Sequence, residues 1–322
     1  MVNIREKYFW LDIGEDAQRQ YIDAQSVFTA WEDAKKSAAE VRGGMYWQNK
    51  NGTDYLIRTS INNSQKSLGP RSNENEAIYK KFIERKEQIE KRVADLSVEL
   101  TRHQRMNRAL HVGRAPQLLI EILDRLFRSG LAEYFTVIGT HALYAYEVVA
   151  GVRFGEHEAL ATRDIDLLWD TRKRLKFITQ MRSLDTSFLG LLKKIDPTFE
   201  IRSDQRYTAV NSRGFEVDVI RREIKDGDPH PLKITDDEDD FYVVQAKRAG
   251  VLLDSSKFSS MVVSTSGYMA RMWTISPTVF AKFKRWMAEQ PDRDPLKRRR
   301  DILQADLVEK LAMEYLSTKM QS

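Results

Sequence analysis

The 322-residue chain is 42% apolar and 31% charged, a profile typical of globular proteins with room for two domains. Its positive charge is mild, +5, which suits a polyphosphate or RNA ligand without identifying one. The chain has no cysteine, which excludes disulfides, thiolate metal sites and cysteine nucleophiles. Because it also has neither a membrane-spanning apolar run nor an apolar signal core, we expect a soluble cytoplasmic protein that does not associate with a membrane.

The first part of the chain, residues 1–110, predicts an α+β unit. A helix over residues 16–42 ends at Gly43-Gly44, where glycine favours helix termination. A β-hairpin follows, with Asn51-Gly52 at its turn because both residues tolerate positive φ angles. A long helix then begins near Asn73, a residue type that caps helices.

The apolar residues of the long helix form a narrow heptad stripe. Such a stripe is typical of a helix that packs along one partner helix. The partner is either another helix of this chain, in an intramolecular hairpin, or the same helix of a second copy, in a homodimer. Both alternatives fit these positions: Ile78, Phe82, Ile89, Val93, Leu96 and Leu100.

Residues 111–322 predict a mixed sheet flanked by helices, and hence an α+β fold. The strands are expected at residues 134–138, 163–169, 207–210, 215–220 and 241–244. Helices are expected from Pro116 to Gly130, over 140–149 and 171–192, after Ser276-Pro277, and from Pro295 onward. The buried stripes of the last two helices are predicted to be Val279, Phe280, Phe283, Trp286 and Met287, and then Ile302, Leu303, Leu307, Leu311 and Tyr315.

A strand-to-helix corner at Gly139 and Thr140 is the first candidate for chemistry. Glycine lets a phosphate approach the backbone closely, and a helix start offers unpaired N–H groups and the positive end of a dipole. Thr140 can cap the helix or bond a phosphate oxygen. On its own, this pattern is more typical of an ordinary turn.

Asp164 and Asp166 are the second candidate. In a strand, alternate side chains share a face, so these two carboxylates point the same way while Ile165, Leu167 and Trp169 face the core. Two such carboxylates can hold hard divalent ions. The alternative is a solvated strand edge, against which the apolar neighbours argue.

The segment Phe215–Ile220 has the same alternation, with carboxylates at Glu216 and Asp218. If its strand lies beside the earlier one, Asp218 completes a three-carboxylate cluster that holds two Mg²⁺ (or Mn²⁺) ions. A single structural Ca²⁺ is a weaker alternative, because its ligands usually come from one loop.

These motifs together resemble the DNA polymerase beta-like nucleotidyltransferase superfamily. The residues IGTHALYAYE at 138–147 and ATRDIDLLW at 161–169 are similar to one bacterial family with that fold. The resemblance extends upstream through Ser67-Leu-Gly-Pro and the long helix, and so covers most of the chain. The resemblance implies that Gly139 and Thr140 bind phosphate, that Asp164 and Asp166 are the metal pair, and that Asp218 is the third carboxylate. Threonine stands here where the superfamily usually has serine or glycine.

The resemblance also implies a cationic contact to the triphosphate from a C-terminal helix. Lys284, which the sequence places beside the apolar stripe of its helix, and Arg300, in the run Lys297–Arg300, are the candidates, and Lys247 is a weaker one. The alternative is a solvated basic face with Asp301 as a surface partner. His141 is most simply a residue of the first helical turn.

The function expected is transfer of a nucleoside monophosphate from an NTP such as ATP to a hydroxyl acceptor, with release of pyrophosphate. RNA or tRNA is the favoured acceptor, since it fits the basic charge and since the resemblance includes relatives that modify tRNA ends as toxins. By the same resemblance, a protein hydroxyl or a small antibiotic is an alternative acceptor. The hairpin aromatics Tyr46 and Trp47 either contact the acceptor or pack on a neighbouring helix. The competing hypothesis is a non-catalytic protein that binds nucleotide or RNA.

Overall fold

The computed structural model describes residues 10–60, 64–225 and 227–316, and these divide into two compact units. The smaller unit is Arg19–Asn107. The larger contains the chain from Arg108 onward together with the described residues up to Gln18, which include strand β1 (Trp10–Asp12). The sequence predicted a boundary near residue 110. It did not predict that the segment up to Gln18 belongs to the larger unit.

The next elements in chain order are α1 (Glu15–Glu40), β2 (Gly44–Lys50), β3 (Thr53–Thr59), β4 (Gln65–Pro70) and α2 (Asn73–Ala109). The hairpin of β2 and β3 turns where predicted, with Asn51 at φ 50° and Gly52 at φ 80°. β4 was not predicted; it pairs antiparallel with β3. The helix cap is Ser72 rather than Asn73, because the Ser72 hydroxyl accepts from the Asn75 amide at 3.2 Å.

Within the smaller unit, α1 and α2 run antiparallel to each other. Trp47 of the hairpin packs on Tyr79 of α2, with ring centroids 5.9 Å apart, so it is occupied by its neighbouring helix. The long helix thus has a helical neighbour in its own chain, while the packing of the stripe residues and the homodimer stay predictions. Three side-chain pairs join the two helices: Gln20 with Asn107, Trp31 with Ser97, and Glu40 with Arg85.

The larger unit continues with the following strands and helices. They are α3 (Gln117–Arg128), β5 (Phe135–Ile138), α4 (Ala142–Ala150), β6 (Val152–Phe154), α5 (His157–Leu160), β7 (Asp164–Trp169), α6 (Arg174–Leu184), α7 (Phe188–Lys193), β8 (Glu200–Ile201), β9 (Thr208–Val210), β10 (Glu216–Arg221), β11 (Val244–Gln245), α8 (Ala249–Asp254), β12 (Lys257–Val263), β13 (Met269–Ile275), α9 (Pro277–Ala288) and α10 (Pro295–Leu311).

These strands form a mixed sheet that confirms the predicted α+β fold class. Its order in the described residues is β12-β13-β5-β7-β10-β9-β8, with β11 beside the end of β10, while β1 pairs separately with β6. β7 lies antiparallel to β5 and parallel to β10. None of the helices in the described residues has the length and apolarity that a membrane crossing requires.

Several predicted boundaries were wrong. The helix expected over 171–192 is a short 3₁₀ turn followed by α6 and α7, which are separated at Asp185, where φ is +48°. The strand expected over 241–244 is reduced to β11. The paired strands β12 and β13 were not predicted at all.

Two apolar cores cover the two faces of the sheet, and β7 contributes to both. Ile165, Leu167 and Trp169 enter the core that contains α3, α6 and α7, as predicted. Leu168 enters the other core, which contains residues of α4, α8, α9 and α10. Asp164 and Asp166 alternate with the first set, so they lie on the α4, α9 and α10 side of the sheet.

Candidate active site

Gly139 forms the corner between β5 and α4. Its φ is +77°, in the left-handed region that favours glycine. A Cβ added there would also overlap the Oδ2 atom of Asp166 and lie 3.3 Å from its Cγ. From the sequence, we attributed this glycine only to the close approach of a phosphate. The structure adds a second reason, because a larger residue would overlap the carboxylate of Asp166.

The first turn of α4 follows this corner directly. The amides of Ala142 and Leu143 donate to the carbonyl oxygens of Gly139 and Thr140 at 3.2 and 3.1 Å. The prediction of unpaired N–H groups at this helix start was therefore wrong for these two amides. The Thr140 hydroxyl, which is buried, accepts a hydrogen bond from Gln304 Nε2 at 3.0 Å.

The pairing of β7 with β10 brings together the three predicted aspartates. In this parallel register Asp218 lies opposite Asp166, and Glu216 lies opposite Asp164. On its other side β7 pairs with β5, so that Asp166 lies opposite Ile138, the residue before Gly139. Neighbouring strands are about 4.8 Å apart, so the aspartates and the glycine corner share one small area of the sheet.

All three aspartates face the same side of the sheet. They are half-buried, and the residues that alternate with them, Ile165 on β7 and Val217 on β10, are fully buried on the opposite face. The solvated strand edge considered from the sequence is therefore excluded, since both β7 and β10 have neighbours on each side.

Two threonine hydroxyls hold the outer carboxylates. Thr208 Oγ1 donates to Asp218 Oδ1 at 2.6 Å, and Thr162 Oγ1 donates to Asp164 Oδ1. Each bond uses one oxygen of its carboxylate. Neither threonine was singled out from the sequence, because nothing in the spacing shows that residues 162 and 208 would face these aspartates.

Asp164, Asp166 and Asp218 carry like charges and are partly shielded from water, and both conditions disfavour the ionised form of a carboxylate. Burial, reinforced by the charges of Asp164 and Asp218, raises the pKa of Asp166 to about 7, against the opposing effect of Lys284 and Lys297. Burial also raises the pKa of Asp218 above its ordinary value, although the Thr208 hydroxyl opposes the shift. These carboxylates therefore lack full charge compensation from the protein.

The chemistry of this cluster fits a divalent cation, although the side chains do not already surround one. Among the described residues no group of three or more His, Cys, Asp or Glu side chains converges on a metal position. Three neighbouring carboxylates, two of them with raised pKa values (Asp166 and Asp218), are nevertheless the hard oxygen ligands that Mg²⁺ prefers. Metal ligation by Asp164, Asp166 and Asp218 stays a prediction.

His141 is a buried residue at the same corner. Its ring lies between Tyr144 and Phe215, and both ring nitrogens lack a hydrogen-bond partner in the described residues. Burial lowers its pKa to about 4, although the charge of Asp164 opposes that shift. The side chain is therefore neutral near pH 7.

The predicted setting of Lys284 was wrong. Lys284 is buried within the packed face of α9, and its Nζ donates to Asp301 Oδ1 at 2.8 Å. Asp301 is also fully buried rather than a surface partner, and Arg293 binds its second oxygen at 2.6 Å. The predicted contact of Lys284 with a phosphate stays a prediction; in the structure its ammonium is bound to Asp301.

The buried stripes predicted for α9 and α10 also need correction. Of the five residues predicted for α9 only Phe280 is buried, and on α10 Ile302 is 45% exposed. The residues of α10 that are buried are Asp301, Gln304, Ala305, Leu307, Val308 and Leu311. Two polar side chains of α10, Asp301 and Gln304, are therefore buried against α9 and the Gly139–Thr140 corner, which its amphipathic pattern could not reveal.

The remaining cations considered for contact with the triphosphate are Arg300, Lys297 and Lys247. Arg300 donates from Nη1 to the carbonyl oxygen of Ala161 at 2.7 Å. Lys297 is exposed, and its charge still reaches Asp166. Lys247 is exposed two residues before α8. Contact of any of these with a nucleotide stays a prediction.

Replacing Lys284 with methionine tests the buried ion pair. Lys284→Met is expected to lower the free energy of unfolding by about 3 kcal/mol, because one cation beside a buried carboxylate is lost. Arg293 still binds Asp301, which keeps the loss near the lower end of the usual range. Urea denaturation measures the effect, with the exposed Lys282→Met as the matched control. Equal stability of the two variants would contradict a buried pair.

A comparison with known families agrees with this geometry. Residues 117–322 match the model of a protein family described as nucleotidyltransferase. The chain belongs to the nucleotidyltransferase family. The match covers more than half of the chain and includes the glycine corner and all three aspartates. No curated protein and no solved structure matches the chain.

Membership confirms the resemblance seen in the sequence. As a nucleotidyltransferase, this protein is an enzyme that transfers a phosphorus-containing group, and its donor substrate is an NTP. The family match begins in α3 of the larger unit, so the smaller unit, residues 19–107, lies outside it, and the upstream part of the resemblance stays a prediction.

Proposed function

We propose that this nucleotidyltransferase moves a nucleoside monophosphate from an NTP to a hydroxyl group of an RNA, tRNA included, with Mg²⁺ (or Mn²⁺) held by Asp164, Asp166 and Asp218. The observation that carries the proposal is the register of β7 and β10. It sets Asp218 opposite Asp166 on the sheet face where Gly139 begins the phosphate corner.

The reaction is an in-line displacement at the α-phosphorus. The acceptor hydroxyl oxygen forms a bond to the α-phosphorus while the bond to the bridging oxygen breaks, and pyrophosphate leaves with that oxygen. When bound, the divalent ions supply charge neutralisation and activation of the hydroxyl. We assign Asp218 the acceptance of the hydroxyl proton, because the register sets its carboxylate opposite Asp166 at the same site.

The choice of RNA over protein as the acceptor rests on charge. The chain carries a net charge of +5, and the first turns of α10 expose Lys297 and Arg299. Lys297 is close enough for its charge to act on Asp166, so a phosphate backbone approaching the aspartates would meet it. A protein hydroxyl offers no comparable partner for these cations.

Addition of a divalent cation is expected to stabilise the protein in a pH-dependent way. The folded-state pKa of Asp166, about 7, lies above its ordinary value of 3.8. Without metal, stability at this site therefore falls as pH rises from about 4 to about 7, and the penalty is complete above that range. Mg²⁺ at 100 times its Kd should raise the Tm by on the order of 5 °C at pH 8.

Differential scanning calorimetry with and without Mg²⁺ measures this effect. The increase should be small at pH 5, where protons compete with the metal for Asp166, and absent at pH 8 in Asp166→Asn. Equal stabilisation of the wild type and the variant would place the ion elsewhere.

The transfer reaction itself is tested with α-labelled NTPs. Each of the four is incubated with the full chain, Mg²⁺ or Mn²⁺, and either a tRNA pool or a pool of cellular protein, and the label is followed into the acceptor. We expect label in RNA from the wild type and from Asp170→Asn, and none from Asp166→Asn. Asp170 is the matched control because it directly follows β7 but binds Arg172 instead of the cluster.

Other outcomes separate the alternatives. Label found only in protein would overturn the RNA acceptor and retain the transfer. An NTP that binds without labelling any acceptor would favour the non-catalytic binding protein. Against that reading, a decayed site should have lost at least one aspartate, because half-buried carboxylates without a metal are costly.

A further inference from the structure

Gln304 of α10 is fully buried at the phosphate corner, and the function proposed above does not use it. Its Nε2 donates two hydrogen bonds, to Thr140 Oγ1 at 3.0 Å and to the carbonyl oxygen of Ala159 at 2.6 Å. A carbonyl oxygen can only accept, so the amide nitrogen must face Ala159. The orientation of the amide is thereby fixed.

This orientation determines what the Thr140 hydroxyl can do. A hydroxyl has one proton to donate and two lone pairs. The Gln304 amide occupies a lone pair of Thr140 Oγ1, and in the described residues no acceptor takes the hydroxyl proton. The proton is therefore available for an oxygen that enters the corner.

We propose that Gln304 is a positioning residue, which holds the Thr140 hydroxyl as a hydrogen-bond donor toward the triphosphate of the NTP. This inference rests on the proposed function, because it takes the corner at Gly139 and Thr140 as the phosphate site. Gln304 touches the hydroxyl rather than the substrate. Its action on phosphate passes through Thr140.

The other contacts of α10 support this role. Arg300, one turn before Gln304, binds the carbonyl oxygen of Ala161, and Gln304 itself binds that of Ala159. Residues 159–161 lead directly into Asp164 at the start of β7. α10 thus holds both the phosphate corner and the approach to the metal pair.

The carbonyl oxygen of the Gln304 side chain, Oε1, argues against a purely structural role for this residue. Gln304 Oε1 is buried without a hydrogen-bond partner in the described residues. A buried acceptor left unpaired is destabilising, so an apolar side chain would serve packing better at this position. A role for the amide at the corner accounts for its presence.

The test measures binding of inorganic tripolyphosphate in the presence of Mg²⁺, which needs no knowledge of the base or the acceptor. Isothermal titration calorimetry compares the wild type, Gln304→Met, Thr140→Val and the double variant, and Thr140→Ser is the conservative variant. We expect about tenfold weaker binding for each of the first two single variants, the value of a hydrogen bond to a charged group, and wild-type binding for Thr140→Ser.

The decisive result is non-additivity. In the Thr140→Val background, Gln304→Met should change the Kd by less than about twofold, because the hydroxyl that it positions is gone. Fully additive effects would overturn the proposal, as would failure of the wild type to bind tripolyphosphate. A purely structural role would lower the Tm while leaving the Kd of the folded protein unchanged.

A second variant covers the case in which Gln304→Met does not fold. Gln304→Glu keeps the size of the side chain but presents an acceptor, which would take the Thr140 proton and weaken tripolyphosphate binding above pH 7. Binding equal to that of the wild type would contradict the proposal. Tripolyphosphate binding without nucleotidyl transfer would defeat the proposed function and leave the role of Gln304 intact.

Discussion

Asp166→Asn is expected to lower the rate of nucleotidyl transfer by on the order of 10³-fold or more, while the Tm stays the same or rises. The loss of activity follows because Asp166 is the central carboxylate, with Asp164 two residues before it and Asp218 opposite it. The gain in stability follows because burial and these neighbours make its charged form unfavourable, which raises its pKa to about 7. A neutral amide of the same size removes that penalty.

The matched control, Asp170→Asn, should behave in the opposite way. Burial would raise the pKa of Asp170, but hydrogen bonds and charge from Arg172 outweigh it, and the pKa is lowered. Its charge is thus stabilising, and its loss should cost about 1 kcal/mol with transfer unchanged. Single-turnover rates and thermal melts of both variants test the contrast. Transfer by Asp166→Asn at the rate of the wild type would defeat the metal-site assignment.

Gly139→Ala is expected to reduce transfer by on the order of 10²-fold to 10³-fold and to destabilise the fold. The left-handed backbone at φ +77° disfavours alanine by about 1 to 2 kcal/mol. The added methyl group also overlaps Asp166 Oδ2, so either the carboxylate or the corner must move. Both belong to the proposed site, and a displacement of about 1 Å there is enough to lose 10²-fold in rate.

Gly52→Ala separates backbone strain from the overlap. Gly52 has φ +80°, nearly that of Gly139, but a Cβ there meets no atom within 4 Å. Gly52→Ala should lower the free energy of unfolding by about 1 to 2 kcal/mol and leave the rate of nucleotidyl transfer unchanged. Urea unfolding and the label assay compare the two variants.

A double variant isolates the contact with Asp166. With Asp166→Ala, the atom nearest the new methyl group becomes the Cβ of residue 166, at an ordinary 3.6 Å. In that background Gly139→Ala should destabilise the protein no more than Gly52→Ala does. An equal cost in both backgrounds would show that the carboxylate does not occupy the space beside the glycine.

Much of the fold could be predicted because its signals are local. The hairpin turn at Asn51-Gly52 and the start of α9 at Ser276-Pro277 depend on the φ angles and capping of those residues alone. β12 was missed because its residues from Ser260 to Val263 are all buried. A strand covered on both faces shows no alternation and resembles other apolar runs.

The candidate site divides in the same way. The sequence showed that the three aspartates alternate with apolar residues. This alternation follows from the two-residue repeat of a strand, which places successive side chains on opposite faces of the sheet. The buried pair of Lys284 and Asp301 was not visible, because a charged residue on a helix has the same pattern whether it meets water or a partner on another helix. Gln304 was missed for the same reason, since its partners, Thr140 and Ala159, lie about 150 residues earlier in the chain.

The amino-acid sequence by itself determined which side chains share a face of β7 and of β10, and that a glycine corner follows β5. Those properties follow from the two-residue repeat of a strand and from the φ angles that a residue type tolerates. Only the tertiary structure decided that Asp218 lies opposite Asp166, that Asp166 fills the space beside Gly139, and that the polar start of α10 faces Thr140. Register and the choice of partner depend on packing between segments far apart in the chain, and no local pattern records them.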